Sequence, residues 1–94
     1  MSCVDLNCRP LLAAHARLKI DPVSGEPILL FPEGVLILNS TAHDIVLLCN
    51  GQTNGHEIIT ALSAQFEVDE CTLRSDVVEC LTDLSQRNLI TLKP

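Results

Sequence analysis

The sequence is poor in aromatic residues: it has no Trp and no Tyr, and Phe31 and Phe66 are its two Phe residues. Single-stranded nucleic acids bind proteins largely by stacking their bases on aromatic side chains, so this binding mode is excluded. Hydrophobic residues nevertheless make up 47% of the 94 residues. The sequence therefore predicts one domain with an aliphatic core.

Positive charge is also scarce. Six Lys and Arg residues face twelve Asp and Glu residues, which gives a formal net charge of −6. Such a balance repels phosphate backbones and anionic lipid surfaces. No apolar run approaches the roughly 20 residues that a membrane-spanning helix needs. We therefore expect protein or peptide partners, and neither nucleic acid nor membrane.

Motifs that carry catalysis or bind a cofactor are missing as well. There is no glycine-rich phosphate loop and no zinc-protease motif, so the sequence predicts neither an enzyme nor a bound cofactor. The cysteines are odd in number, and no pair has the CxxC spacing of metal or redox centres, which favours a reducing, cytoplasmic location. A metal site on two thiols of the N-terminal segment stays open as a weaker alternative, because two ligands make a poor closed site. The five cysteines are Cys3, Cys8, Cys49, Cys71 and Cys80.

The order of elements predicts an α+β fold. Residues 1–14 lack a clear period and are expected to form a flexible arm, and residues 15–94 are expected to form the domain. Three short apolar runs, "ARLKID", "ILLF" and "VLIL", are separated by turn residues and predict a three-stranded antiparallel sheet. Three helices should follow, the second opened by a capping box of Asn54 and Glu57 and the third running from Asp69 to about Arg87. The closing "LITL" is expected to add an edge strand, and the whole is winged helix-turn-helix-like.

The third helix decides between DNA and other partners. It carries five acids and two arginines between Asp69 and Arg87, whereas a recognition helix should be basic or neutral near phosphates. At 100° per residue, one stripe should face the core and an acidic flank should face solvent. The mostly uncharged opposite flank is expected to border a groove, although an isolated surface Val78 is an equally acceptable interpretation. The stripe is Leu73, Val77, Cys80 and Leu84; the acids are Asp76, Glu79 and Asp83; the opposite flank is Arg74, Val78, Leu81 and Ser85.

The hairpin formed by the second and third strands is apolar on both faces, which is unusual where one face of a sheet meets water. An exposed third strand would offer backbone hydrogen bonds to an incoming peptide. Alternatively, both faces could be covered within the chain or by a second copy. The residues alone leave a peptide carrier and a self-associating, non-catalytic winged-helix module, including a homodimer, both open.

From "RPLLAAHARLKID" through "LLFPEG" and "LN.TA..I..LC.G" to "DV..CL..L", the sequence resembles the pyrroloquinoline quinone biosynthesis protein D (PqqD) family. The resemblance runs from Arg9 to about Leu92. It departs from the family pattern at Pro27, where members often have an aromatic residue, and at Gln52, where they often have a basic one.

The resemblance implies a RiPP recognition element, a peptide chaperone with a winged-helix fold. It implies that the chain binds the precursor peptide PqqA and presents it to the radical S-adenosylmethionine enzyme PqqE. In such domains the peptide adds as a strand beside the third strand and faces the third helix. Carried onto this sequence, the expected peptide-binding residues are Val35, Leu36, Ile37 and Leu38 on the strand and Arg74, Val78, Leu81 and Ser85 on the helix.

Overall fold

The computed structural model describes residues 5–93. Its elements follow one another as β1 (Arg9–Leu12), β2 (Arg17–Ile20), β3 (Pro27–Phe31), β4 (Gly34–Ile37), α1 (Ser40–Leu47), α2 (Gly55–Gln65), α3 (Glu70–Gln86) and β5 (Ile90–Lys93). The predicted α+β class, with antiparallel strands and three helices, is confirmed.

The three predicted strands form one antiparallel sheet in the order β2-β3-β4. The "PEG" turn places Phe31 opposite Gly34 and Leu29 opposite Leu36. Gly34 has φ +159 and Gly25, in the preceding turn, has φ +76, which is a backbone region that side chains with a Cβ rarely adopt. Both turns therefore form where the sequence predicts them.

The ends of the described chain differ from the prediction. Residues 9–12 lie in the segment expected to be a flexible arm, but they form β1 and pair antiparallel with β5. The "LITL" strand does form, but in this separate two-stranded sheet rather than beside the other strands. Strand β1 has four residues without polar alternation, so its own sequence does not predict a strand. It is stabilised by a partner strand about 80 residues away in sequence.

Capping residues start the first two helices. The Asn39 side chain accepts a hydrogen bond of 2.7 Å from the backbone N–H of Ala42, and the capping box of Asn54 and Glu57 is complete in both directions. Asp69 occupies the predicted cap position of α3 without a side-chain cap bond. After α3, Asn88 adopts φ 62, which turns the chain into β5.

The core is aliphatic, as expected. Phe31 and Phe66 are only partly buried at its margin. The side chains that are almost fully enclosed come from β1, β3, the three helices and the residue before β5, and are Pro10, Leu29, Ile45, Ile58, Leu62, Leu73, Val77, Leu81, Leu84 and Leu89. The core thus joins the inner face of the three-stranded sheet to all three helices.

Candidate functional site

Strand β4 is one edge of the three-stranded sheet in the described residues. Leu38 donates its backbone N–H to the carbonyl oxygen of Pro27 at 2.9 Å, and in an antiparallel ladder alternate residues point their backbone groups to opposite sides. Leu36 therefore points its N–H and C=O towards β3, whereas Val35 and Ile37 point theirs away from it. The edge offers two N–H and two C=O groups in the pattern that an added strand needs.

A groove of about 440 Å³ lies beside this edge, between β4, the start of α1 and α3. Its volume is within the range of roughly 300–1,000 Å³ that is usual for ligand sites. Its floor is apolar and is formed by Leu36, Leu38, Ala42, Ile45 and Leu84. The wall provided by α3 consists of Asp76, Glu79, Cys80 and Asp83.

Three of the four predicted strand residues, Leu36, Ile37 and Leu38, line this groove, and Val35 does not; the four lie on two faces of the sheet. Val35 and Ile37 are 55% and 67% exposed on the outer face of the sheet, while Leu36 is partly buried and Leu38 is 5% exposed on the inner face. Leu38 follows β4 directly and does not belong to it. Their contact with a peptide stays a prediction.

The four predicted helix residues do not line the groove. Leu81 is fully buried in the core, and Arg74 is exposed on the helix surface, where it pairs with Glu70 at 3.8 Å. Val78 and Ser85 are half-buried. The interpretation that this flank faces the groove is therefore corrected: the acidic flank, expected to face solvent alone, borders it.

The buried stripe of α3 differs from the predicted one by one residue. It consists of Leu73, Val77, Leu81 and Leu84, whereas the predicted stripe has Cys80 in place of Leu81. Cys80 and Leu81 both follow Val77 at helical spacing, so periodicity alone accepts either. The larger apolar side chain of Leu81 takes the core position, and Cys80 lies with the acids on the side of the helix that borders the groove. Weighting the stripe by side-chain size is the signal that could have placed Leu81 in the core.

The charge of the wall is only partly compensated. Asp83 accepts a hydrogen bond from Nε of Arg87 at 3.0 Å, whereas Asp76 and Glu79 have no cation within ion-pair distance among residues 5–93. Both of these carboxylates are exposed to solvent. The groove therefore combines an apolar floor with a negative wall.

The two cysteines closest to the site remain protonated at neutral pH. Burial, and then the negative charge of Asp83, raises the pKa of the Cys80 thiol to about 11. Burial, and then the neighbouring Cys80, raises the pKa of the Cys49 thiol to about 12. Since the thiolate is the nucleophile and the metal ligand, neither thiol is activated.

The described part of the chain has neither a cluster of metal ligands nor a membrane-spanning helix. Residues 5–93 contain no group of three or more His, Cys, Asp or Glu side chains that could hold a metal ion. Cys3 lies outside the described residues, and Cys8 is half-buried without a disulfide bond. None of the helices between residues 5 and 93 is both long and apolar enough to cross a bilayer.

Curated proteins are similar in sequence to this chain over nearly its whole length. The chain is 38% identical to a PqqA binding protein of Rhodopseudomonas palustris over 94% of its own length and 86% of that protein. It is 32% identical to a PqqA binding protein of Xanthomonas campestris pv. campestris over 98% of its length and all of that protein.

Solved structures show the same fold. The solution NMR structure of the PqqD truncation of Methylobacterium extorquens PqqCD, described as a functional, stand-alone RiPP recognition element, matches with a TM-score of 0.75 and 26% identity over 87% of each chain. TbiB1, solved in complex with the TbiA(β) leader peptide, matches in fold with a TM-score of 0.70 and 22% identity over 85% of this chain and 93% of that one.

The family model described as coenzyme PQQ synthesis protein D (PqqD) matches residues 26–90. This segment runs from the turn before β3 to the start of β5, so it includes every residue that lines the groove. The resemblance noted in the sequence is thereby confirmed, and the chain belongs to the PqqD family.

Proposed function

We propose that this protein is a non-catalytic peptide chaperone of pyrroloquinoline quinone biosynthesis. It binds the precursor peptide PqqA as an additional strand along β4 and presents it to the radical S-adenosylmethionine enzyme PqqE. The curated relatives named PqqA binding protein and the related stand-alone RiPP recognition element support the peptide as ligand. The proposal includes a winged-helix-like arrangement, with the β3–β4 hairpin as the wing, and a cytoplasmic location.

The observation that carries the proposal is the free edge of β4. The outward backbone groups of Val35 and Ile37 lie directly beside the groove, so a peptide strand can form hydrogen bonds along the edge while every second side chain enters the groove. Each such hydrogen bond contributes roughly 0.5–1.5 kcal/mol. The negative charge of the chain, −6, argues against DNA as the alternative ligand of this fold.

Self-association through the same edge is disfavoured by charge. Two copies that paired their β4 strands about a two-fold axis would place both acidic walls on the same face of one continuous sheet. The two negative walls, each with Asp76 and Glu79, would then lie on the same side of that sheet and repel each other. A peptide strand avoids this repulsion.

The test is a pair of proline substitutions at opposite edges of the same sheet. Ile37→Pro removes an outward N–H from β4 and should weaken binding of a synthetic PqqA peptide at least about tenfold, because it also disturbs pairing on both sides of the substitution. Ile20→Pro removes an outward N–H from the free edge of β2, where Ile20 is 55% exposed, and should bind like the parent.

Isothermal titration calorimetry measures both affinities after circular dichroism has shown that the variants are folded. Equal affinity of the folded Ile37→Pro variant and the parent would contradict strand addition at β4. Equal loss in both variants would show that proline acts through the sheet as a whole. Presentation to PqqE is tested separately, by mass spectrometry of PqqA after incubation with PqqE with and without this protein.

A further inference from the structure

The geometry of an added strand determines which of its side chains meet the acidic wall. A residue paired opposite Leu36 directs its side chain to the same face of the sheet as Leu36, and Leu36 forms part of the groove floor. Residues opposite Val35 and Ile37 instead point to the outer face. One alternating set of peptide side chains therefore enters the groove.

The groove offers these side chains two different environments. The lining of the groove includes the apolar side chains of Leu36 and Ala42 and, on α3, the solvent-exposed carboxylates of Asp76 and Glu79. Lysine and arginine match both environments, because their long aliphatic stems pack on apolar surface while their charged ends stay partly in water. A purely apolar side chain would leave both carboxylates uncompensated.

We propose that the groove selects a peptide whose added strand has a lysine or arginine at a groove-facing position, paired with Asp76 and Glu79. The inference rests on the proposed function and adds the chemistry of the bound segment. The third acid of the wall, Asp83, already bonds to Arg87 at 3.0 Å. Asp76 and Glu79, which have no ion-pair partner among residues 5–93, lie three residues apart on α3, so one flexible basic side chain can contact both.

The experiment uses a synthetic PqqA peptide and variants in which each residue of the binding segment is replaced in turn by lysine, norleucine or glutamate. Norleucine retains most of the lysine stem without its charge. At one or two peptide positions whose side chains point into the groove, the lysine peptide should bind roughly fivefold more tightly than the glutamate peptide. The norleucine peptide should have an intermediate affinity. The preference should shrink when the salt concentration rises from about 50 to about 300 mM.

Two protein variants locate the effect. The double variant Asp76→Asn and Glu79→Gln should lose most of the preference for lysine while still binding the norleucine peptide. The control is Glu67→Gln combined with Asp69→Asn, which removes the same charge from two exposed residues that do not border the groove. This control should keep the preference.

The outcomes separate this inference from the proposed function. Suppose that the norleucine peptide binds the parent protein, binds Ile37→Pro more weakly, and has the same affinity as the lysine and glutamate peptides. Strand addition then stands and charge selection is overturned. A preference lost equally in both double variants would reflect net charge and would also overturn it. If no PqqA peptide binds at all, the proposed function fails and this inference fails with it.

Discussion

Replacing Leu81 by Ala should destabilise the fold by about 2–5 kcal/mol and leave the groove able to bind a peptide. Leu81 has no exposed surface and lies on the buried stripe of α3. Truncation removes three carbons from an aliphatic core whose neighbours can only partly close the cavity. A domain of this size has a total stability of roughly 5–14 kcal/mol, so a substantial part of it would be lost.

Thermal unfolding followed by circular dichroism measures the change, and we expect the melting temperature to fall by at least about 10 °C. The matched control is Leu47→Ala at the end of α1, where the side chain is 56% exposed; its cost should be about 1 kcal/mol or less. Peptide affinity is then measured at a temperature at which all variants are folded.

A particular pair of results would refute this reasoning. If Leu81→Ala melted within a few degrees of the parent and bound PqqA peptide much more weakly, Leu81 would belong to the groove. Helix α3 would then be rotated so that the flank of Arg74, Val78 and Ser85 faces β4, as the sequence alone predicts. The variant therefore decides between the two orientations of this helix.

Two further predictions concern thiol titration and helix capping. Above about pH 9 the unfolded chain loses thiol protons that Cys49 and Cys80 retain in the fold, since burial raises their pKa values from 9.0 to about 12 and about 11. Stability should therefore be intact below pH 9 and decrease as the pH rises towards 11, by up to ~1.4 kcal/mol per pH unit for each thiol. Urea unfolding at pH 8, 9 and 10 measures how the free energy of unfolding changes with pH. Replacing Cys80 by Ala should reduce this pH dependence, whereas replacing the exposed Cys71 by Ala should not. Because the chain has no Tyr, phenol titration does not contribute. Asn54→Ala should lower stability by about 1 kcal/mol because it opens the capping box at α2, and unchanged urea unfolding would contradict that role of Asn54.

The elements that the sequence predicts correctly are those with a local cause. The hairpin of β3 and β4 follows from a turn between two apolar runs, and the starts of α1 and α2 follow from Asn39 and Asn54. Strand β1 has no such cause, since its pairing with β5 is decided by residues at the other end of the chain. Local patterns cannot specify a partner that far away.

The candidate site divides in the same way. The sequence predicts the strand of the site, because "VLIL" lacks charge on either face. Strand β4 includes three of those four residues. The sequence does not predict the helix wall of the site, because helical periodicity accepts either Cys80 or Leu81 in the core and does not say which flank of α3 borders β4. Only the packing of α3 against the other helices and β5 resolves that choice, and it replaces an uncharged wall by an acidic one.

The pairing of β1 with β5 has a consequence for the order of folding. It closes a loop that contains nearly every other residue of the domain. The conformational entropy lost on closing such a long loop opposes the pairing, and only a few hydrogen bonds offset it. The hairpin of β3 and β4 and the contact between α2 and α3 close far shorter loops and can form earlier. Strands β1 and β5 should therefore dock last, on a sheet and helices that are already assembled, and they should be the first to separate when the domain opens.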